Sequence, residues 1–245
     1  MRVAVITPFY NTPLHWLEQC HASVRAQTHP CTHFLVSDGA GENPLSDFEG
    51  EYIRLPKPHA DNGNTPRAVG STTAAGEGFD AIAYLDADNW YVANHIESLV
   101  TLKQQTGAAV CTSGRTLHNL SGELLGPCVE VDGKHFVDTS CLFITRPAYG
   151  LTLQWVFMPR EFSVVCDFWV WSCVRRSLHP TAHTGLQTMA FRTTYPHHFL
   201  RFGLPPPPGA KSLEYSQDCA RRIHALRAVF GKNAASLAPQ RQRQS

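Results

Sequence analysis

Residues 3–13, Val3-Ala4-Val5-Ile6-Thr7-Pro8-Phe9-Tyr10-Asn11-Thr12-Pro13, carry the first decision about the fold. Val3–Thr7 is a short, apolar, β-branched run halted by Pro8, the pattern of a central strand buried on both faces of a parallel sheet. Thr12-Pro13 then supplies an N-cap and a proline for the first helical position. Leu14, Leu17, His21 and Val24 follow at helical spacing and form one buried stripe. A buried strand feeding an amphipathic helix is the building unit of an α/β fold.

The unit recurs. Phe34-Leu35-Val36 reads as a second strand, ending in the polar turn Ser37-Asp38-Gly39-Ala40, and Tyr52–Leu55 as a weaker third. Thr65-Pro66 repeats the cap-plus-proline signal and predicts a helix to about Ala75. Ala81–Leu85 is a fourth strand that ends at Asp86-Ala87-Asp88-Asn89. Asn94, with Glu97 three residues on, predicts a capping box for a helix whose stripe is Ile96, Leu99, Val100 and Leu102 and which Gly107 closes. Ala108–Thr112 is a fifth strand. Strands alternating with helices through residue 115 predict a doubly wound, mostly parallel α/β sheet with right-handed crossovers. The pattern then changes. Phe136–Thr139 and Leu142–Thr145 look like strands, Asp167–Arg176 opens a helix, four prolines occupy 205–208, and a last helix over Leu213–Phe230 stops at Gly231, with 232–245 disordered.

The chain of 245 residues suits one sizeable domain with an appended arm, and at 43% hydrophobic and 17% charged it is not a disordered sequence. A formal net charge of +1 gives no field aimed at nucleic acid. The charge is uneven, however: seven basic residues face two acidic ones over Lys211–Ser245. That stretch is either a solvated helix and tail or a basic arm that touches an anionic membrane surface or acceptor. The eight cysteines include no C-x-x-C pair, as expected of reduced thiols in a cytoplasmic protein. No apolar run reaches the roughly 18–20 residues of a membrane span, and residues 1–8 read as a strand, not a leader. The expectation is a soluble cytoplasmic protein, with peripheral contact at the inner membrane face through the basic arm as an option.

In open α/β sheets, ligands bind beyond the carboxyl ends of the strands. Three polar clusters fall at such ends: Thr7–Asn11, Asp38-Gly39 and Asp86-x-Asp88. Two carboxylates two residues apart after an apolar strand can hold a hard divalent cation, Mg²⁺ or Mn²⁺, whose other positions go to a diphosphate. D-x-D also arises by chance in loops. Taken in order, Val5–Asn11, Ser23-Val24-Arg25-Ala26-Gln27-Thr28, Leu35–Ala40, Arg67 and Leu85–Asn89 resemble glycosyltransferase family 2, nucleotide-sugar-dependent enzymes of GT-A fold. The resemblance is good over about residues 3–90 and fainter to about 176.

The resemblance implies a nucleotide-sugar-binding half over 1–115, an acceptor-binding and catalytic half of the same domain over 116–204, and a Pro-rich linker, basic helix and tail over 205–245. It places Thr7, Pro8 and Tyr10 along the nucleotide, with Tyr10 against the base. Asp38 accepts from a base that is usually uracil, and Arg67 lies by the base or diphosphate. Asp86, with Ala87 beside it, faces the ribose or a metal-bound water, and Asp88 ligates the metal. Ser37 stands where many members have an acidic residue. Val164-Val165-Cys166-Asp167-Phe168-Trp169 looks like the family's acidic motif opening a helix, with Asp167 as catalytic base and Cys166 where Glu is frequent. Asp167 also suits a plain first-turn helix acid. His197, next to His198, is a candidate third metal ligand, as a late His is in some GT-A enzymes. Trp155, Trp169 and Trp171 are either core or acceptor-stacking residues.

These roles imply an inverting transfer from a nucleoside diphosphate-sugar, UDP-sugar favoured, to a glycan or lipid-linked acceptor. Because no Gln-x-x-Arg-Trp follows His179, the transfer is expected to be non-processive. A sugar-1-phosphate nucleotidyltransferase would need a Gly-rich loop after the first strand, and Thr7–Pro13 has no Gly. A haloacid-dehalogenase phosphatase carries D-x-D on its first strand, with Thr two places on, where Trp90 stands here. A non-catalytic relative that only binds nucleotide sugar or glycan would lack Asp88 or Asp167, and both are present.

Overall fold

The computed structural model describes residues 1–39 and 42–236. In chain order the elements are β1 (Val3–Phe9), α1 (Leu14–Arg25), β2 (Cys31–Ser37), β3 (Glu51–Arg54), α2 (Asn64–Gly76), β4 (Ala81–Tyr84), β5 (Trp90–Tyr91), α3 (His95–Thr106), β6 (Val110–His118), β7 (Leu124–Pro127), β8 (Leu142–Thr145), α4 (Gln154–Phe157), α5 (Cys166–Arg176), β9 (Thr181–Arg192), α6 (Pro196–Arg201) and α7 (Leu213–Ser236). All nine strands form one sheet, ordered β3-β2-β1-β4-β8-β6-β9-β5, with β7 added beside β6. Neighbours β3, β2, β1 and β4 are parallel. Strand β8 runs against both β4 and β6, and β6 and β9 again point the same way as β1. The sheet is therefore mostly parallel, and β6 crosses residue 115 without a break.

The two faces are covered by different helices. Register places Ile6 and Val36 on one face and Thr7, Leu35 and Phe9 on the other. A Cβ added at Gly70 of α2 would lie 2.7 Å from Ile6 Cγ2 and 3.0 Å from Val36 Cγ2, so α2 presses on the first face. Leu17 of α1 packs with Phe9 and Leu35 on the second. Helices on both faces explain why β1 and β4 are buried along their length and read as continuous apolar runs.

Several local expectations change. Thr12 is not the cap of α1: Pro13 is, without a side-chain hydrogen bond. Nor is Thr65 the cap of α2, which starts at Asn64 after a left-handed Gly63; Asp61 Oδ2 takes the Thr65 N–H and O–H at 3.0 and 2.6 Å. Asn94 does cap α3, but by position alone, and Glu97 reaches Thr28 Oγ1 at 2.7 Å instead of closing a capping box. Residues 136–138 are not a strand, and Thr139–Cys141 form a 3₁₀ turn capped by Asp138. The last helix passes through Gly231 to Ser236, so 232–236 are helical, and the expectation of disorder over 237–245 lies outside the described residues. Trp155 and Trp171 are core residues, 1% and 3% exposed, and Trp169 packs on Phe162 and Phe230. None of the three reaches the cleft described next, which removes them as stacking platforms. Among the described residues no helix is long and apolar enough to cross a membrane.

Candidate active site

A cleft of about 980 Å³ opens at the carboxyl ends of β1, β2, β4, β6 and β9. Pro8–Pro13 follow or end β1, Asp38 follows β2, Asp86–Asp88 follow β4, and Arg115 and Arg192 come from β6 and the end of β9. Residues 163–168 enter from the start of α5, and Tyr215–Ile223 of α7 close the far side. Of the expected site residues, Pro8, Tyr10, Asp38, Arg67, Asp86, Ala87, Asp88, Asp167 and His197 all line this one cleft.

Thr7 does not. Its side chain is fully buried, with Oγ1 2.8 Å from His33 Nε2 and 3.8 Å from Cys20 Sγ. Thr7 lies on the α1 face of β1, and of that face only Phe9, two residues nearer the strand's carboxyl end, reaches the cleft beside Pro8. Tyr10, by contrast, is 52% exposed at the rim.

The Asp38 carboxylate organises the next loop. Its Oδ1 receives His59 Nδ1 at 2.7 Å, both oxygens receive the His59 N–H at 3.1 Å, and Oδ2 receives the Ala60 N–H at 3.3 Å. These bonds hold a segment in costly conformation: Ala60 and Asn62 have φ of 52° and 59°, and Asn11 across the cleft has 50°. All three of the non-glycine left-handed residues among those described line the cleft, as expected of strain concentrated at a functional site.

Arg67, in the first turns of α2, is buried beside Asp86. Its Nη2 meets Asp86 Oδ1 at 2.5 Å, and Nη1 donates to Asn62 O at 2.8 Å, while Nε is buried without a partner. Burial alone would lower the guanidinium pKa, but Asp86 outweighs it and the net shift is upward. Asp86 also donates its N–H to Ser140 Oγ at 3.1 Å. Among the described residues Asp88 has no side-chain ion pair of this kind. Burial, followed by repulsion from Asp86, pushes its carboxyl up to about 7. Arg192 lies close but uses Nε on the Asp88 carbonyl at 3.0 Å, Nη1 on Leu120 O and Nη2 on Gln19 Oε1. It braces the Asp88 backbone, and its charge offsets only part of the rise.

Asp167 sits at the second position of α5 and takes its own helix's Phe168 N–H at 2.8 Å. Burial and then the charge of Asp138 lift its carboxyl to about 7. Asp138, itself raised by burial, pairs with Arg115 Nη1 at 2.5 Å. The Arg115 guanidinium stacks over Phe191 at 4.0 Å and lies 3.6 Å from Glu130. Asp138, Arg115, Glu130 and Arg192 all belong to the cleft and none stands out in the sequence, because no periodic or motif pattern marks the loops around 130 and 138.

His197 is 57% exposed, with Nε2 3.4 Å from Glu130 Oε1, and buried His198 places Nε2 3.2 Å from Glu130 Oε2. Among the described residues these three form the one group of metal-type side chains with mutually close donor atoms, and Asp88 is not in it. The structure thus groups His197 with Glu130 and His198, not with the aspartate it was expected to join.

The model of the glycosyl transferase family 2 matches residues 4–131, more than half of the chain. No curated protein matches by sequence. Among solved structures, S. aureus TarS 1–349 in complex with UDP superposes with a TM-score of 0.58 at 13% identity, over 82% of this chain and 63% of that one. The longer S. aureus TarS gives 0.57 at 12% identity, over 82% and 38%. TarS 1–349 in complex with UDP-GlcNAc gives 0.54 at 11% identity, over 79% and 59%. The present chain therefore spans less than two thirds of each of these structures. At such identity the likeness establishes the shared fold.

Proposed function

Because the chain belongs to glycosyl transferase family 2, we infer that it transfers a sugar, with inversion and one transfer per encounter, from a nucleoside diphosphate-sugar to a hydroxyl of a glycan or lipid-linked acceptor. The observation that carries this reading is the convergence of Asp38, Asp86, Asp88 and Asp167, from four separate segments, on one cleft at the strand ends. The solved TarS complexes with UDP and UDP-GlcNAc support a uridine donor.

The chemistry divides between the two ends of the cleft. A hydroxyl is a poor nucleophile, and a carboxylate must take its proton as it attacks the anomeric carbon. Asp167 suits this role, since a carboxyl lifted to about 7 is a stronger base than a free aspartate and is still ionised in half of the molecules at neutral pH. Attack from the Asp167 side, opposite the departing diphosphate, inverts the anomeric centre. At the donor end, Arg67 neutralises Asp86 and fixes its orientation, while the strained Ala60–Gly63 segment, held by Asp38, shapes the floor beside Pro8 and Tyr10.

The Asp88 carboxylate fits a hard divalent cation, Mn²⁺ or Mg²⁺, because it is an oxygen ligand whose pKa is raised by burial and by the neighbouring Asp86, a cost that such an ion relieves. Bound there, the ion would supply charge neutralisation for the leaving diphosphate. A panel of nucleotide sugars with Mn²⁺, scored by nucleoside diphosphate release with and without glycan acceptors, tests the proposal. Release that rises with acceptor and falls in Asp88→Asn supports it. Binding without release would reduce the protein to a binding module, and failure to bind any nucleotide sugar would overturn the reading.

A further inference from the structure

We propose that Lys211, Tyr195 and Tyr215 form an anion-recognition subsite for the acceptor, so that the sugar receiving the transfer carries a negative group, a uronate carboxylate or a phosphate. This rests on the sugar-transfer reading above and names the substrate class of that same cleft.

The Lys211 ammonium is set in place from several sides. Its Nζ donates to Tyr215 Oη at 2.9 Å and stands 4.0 Å from the Tyr215 ring centre and 4.7 Å from that of Tyr195. A neutral phenol and two ring faces orient an ammonium without cancelling its charge. The backbone is held too: the Lys211 N–H donates to Thr194 O at 2.9 Å, tying the end of the Pro-rich loop to the exit of β9. Helix α7, which starts two residues later, is docked against the catalytic half. Its Leu226 and Phe230 pack with Phe162 and Val165 of the 3₁₀ segment Arg160–Val165, and Arg222 Nη1 donates to the Glu161 carbonyl. That segment runs directly into α5, which carries Asp167 at its second position. The ammonium and the candidate base thus belong to one packed unit, and Asp167 is among the charges acting on the Tyr195 hydroxyl. A base faces the nucleophile, which is the acceptor's hydroxyl.

The other cations of the cleft are committed. Arg67 pairs with Asp86 and Arg115 with Asp138, each at 2.5 Å, and the Arg192 donors go to Asp88 O, Leu120 O and Gln19 Oε1. Lys211 makes no ion pair among the described residues, and Tyr215 takes one of its three N–H groups. Phe136 and Phe168, the latter next to Asp167, stack with ring centres 4.5 Å apart and also line the cleft. With the three tryptophans turned away, these rings and the two tyrosines are the aromatic surface offered to the apolar face of a sugar. Aromatic walls with one uncommitted ammonium fit a sugar ring that bears an anion, and a neutral sugar would leave that ammonium unmatched. An ammonium acts as a point charge, so it serves carboxylate and phosphate alike.

The test is binding of the full chain, with UDP and Mn²⁺ present, to a glycan array whose neutral, uronate-bearing and phosphate-bearing members share one backbone, alongside UDP titration calorimetry. The expected result is a preference of at least ~10-fold for one or both charged sets, the size of a charge-assisted hydrogen bond. The two sets show which anion is read. Lys211→Met, which keeps the stem, should cut the preference ~10-fold and leave the UDP Kd within about 2-fold of wild type. Lys211→Arg, which keeps the charge, should retain most of it, and Tyr215→Phe, which removes only Oη, should lower it ~2–5-fold. Equal binding of neutral and charged members, no glycan binding at all, or loss of UDP and glycan together in Lys211→Met would overturn the proposal. If wild type still binds UDP, those results leave the sugar-transfer reading standing; a wild type that binds no UDP removes both.

Discussion

Replacing Asp167 by Asn probes the reaction and the electrostatics of the cleft together. Asn keeps the size of the side chain and an oxygen to accept the Phe168 N–H, so α5 should start unchanged. What disappears is the proton acceptor. Losing a general base costs at least ~100-fold in turnover, about 2.7 kcal/mol of barrier, with donor binding near normal. In the wild type the base form develops as Asp167 titrates near 7, so kcat/KM should fall about tenfold per pH unit below that value, and this acid limb should vanish in Asp167→Asn.

Stability should move the other way. The folded-state pKa is raised from 3.8 to about 7, so the protonated carboxyl favours the fold. That contribution is complete below the unfolded value and is lost as pH rises through about 7. An Asn carries no such loss. Relative to wild type, the variant should therefore gain stability between pH 4 and pH 8 at up to about 1.4 kcal/mol per pH unit across the titration, a few kcal/mol in all. Nucleoside diphosphate release across pH 5–9 and urea unfolding at both ends of the range are the assays. Wild-type turnover in Asp167→Asn, or an unchanged acid limb, would refute the assignment of the base.

Arg67→Ala leaves Asp86 without its partner and should cost about 3–5 kcal/mol of stability, read from the denaturant midpoint, together with donor affinity. Arg67→Lys should rescue little, because one ammonium cannot serve both Asp86 and the Asn62 carbonyl. Gly70→Ala forces a methyl against Ile6 and Val36 and should destabilise by about 1–3 kcal/mol, visible as a lower Tm with the cleft residues untouched. His33 is held neutral by burial, its pKa lowered from 6.5 to about 3, so its contribution is present above 6.5 and is lost as pH falls. The stability gap between wild type and His33→Asn should accordingly narrow by about 1.4 kcal/mol per pH unit from pH 6 to pH 4, and a gap that stays constant would contradict this.

The parts of the fold visible in the sequence are those where burial on both faces leaves a continuous apolar run: β1, β2, β4 and β8. Strand β5 has two residues, too few to show a period. Strand β9 is long but exposed and polar over its first half, with Gly185 in a left-handed turn and register shifts against β6, and its sequence shows no alternation. The site divides in the same way. Asp38, Asp86 and Asp88 follow strands that can be read, and so can be placed at one sheet edge from the sequence. Thr7 cannot, because its side chain is taken up by Cys20 and His33 under α1, while Phe9 on the same face, two residues on, reaches the cleft. Arg115, Glu130 and Asp138 come together only through tertiary pairing across the chain.

The most direct measurement is calorimetric titration of UDP into the protein with and without Mn²⁺. The predicted result is one site per chain that needs the divalent ion and is lost in Asp88→Asn. Absence of binding, or binding indifferent to both the ion and Asp88, would contradict it.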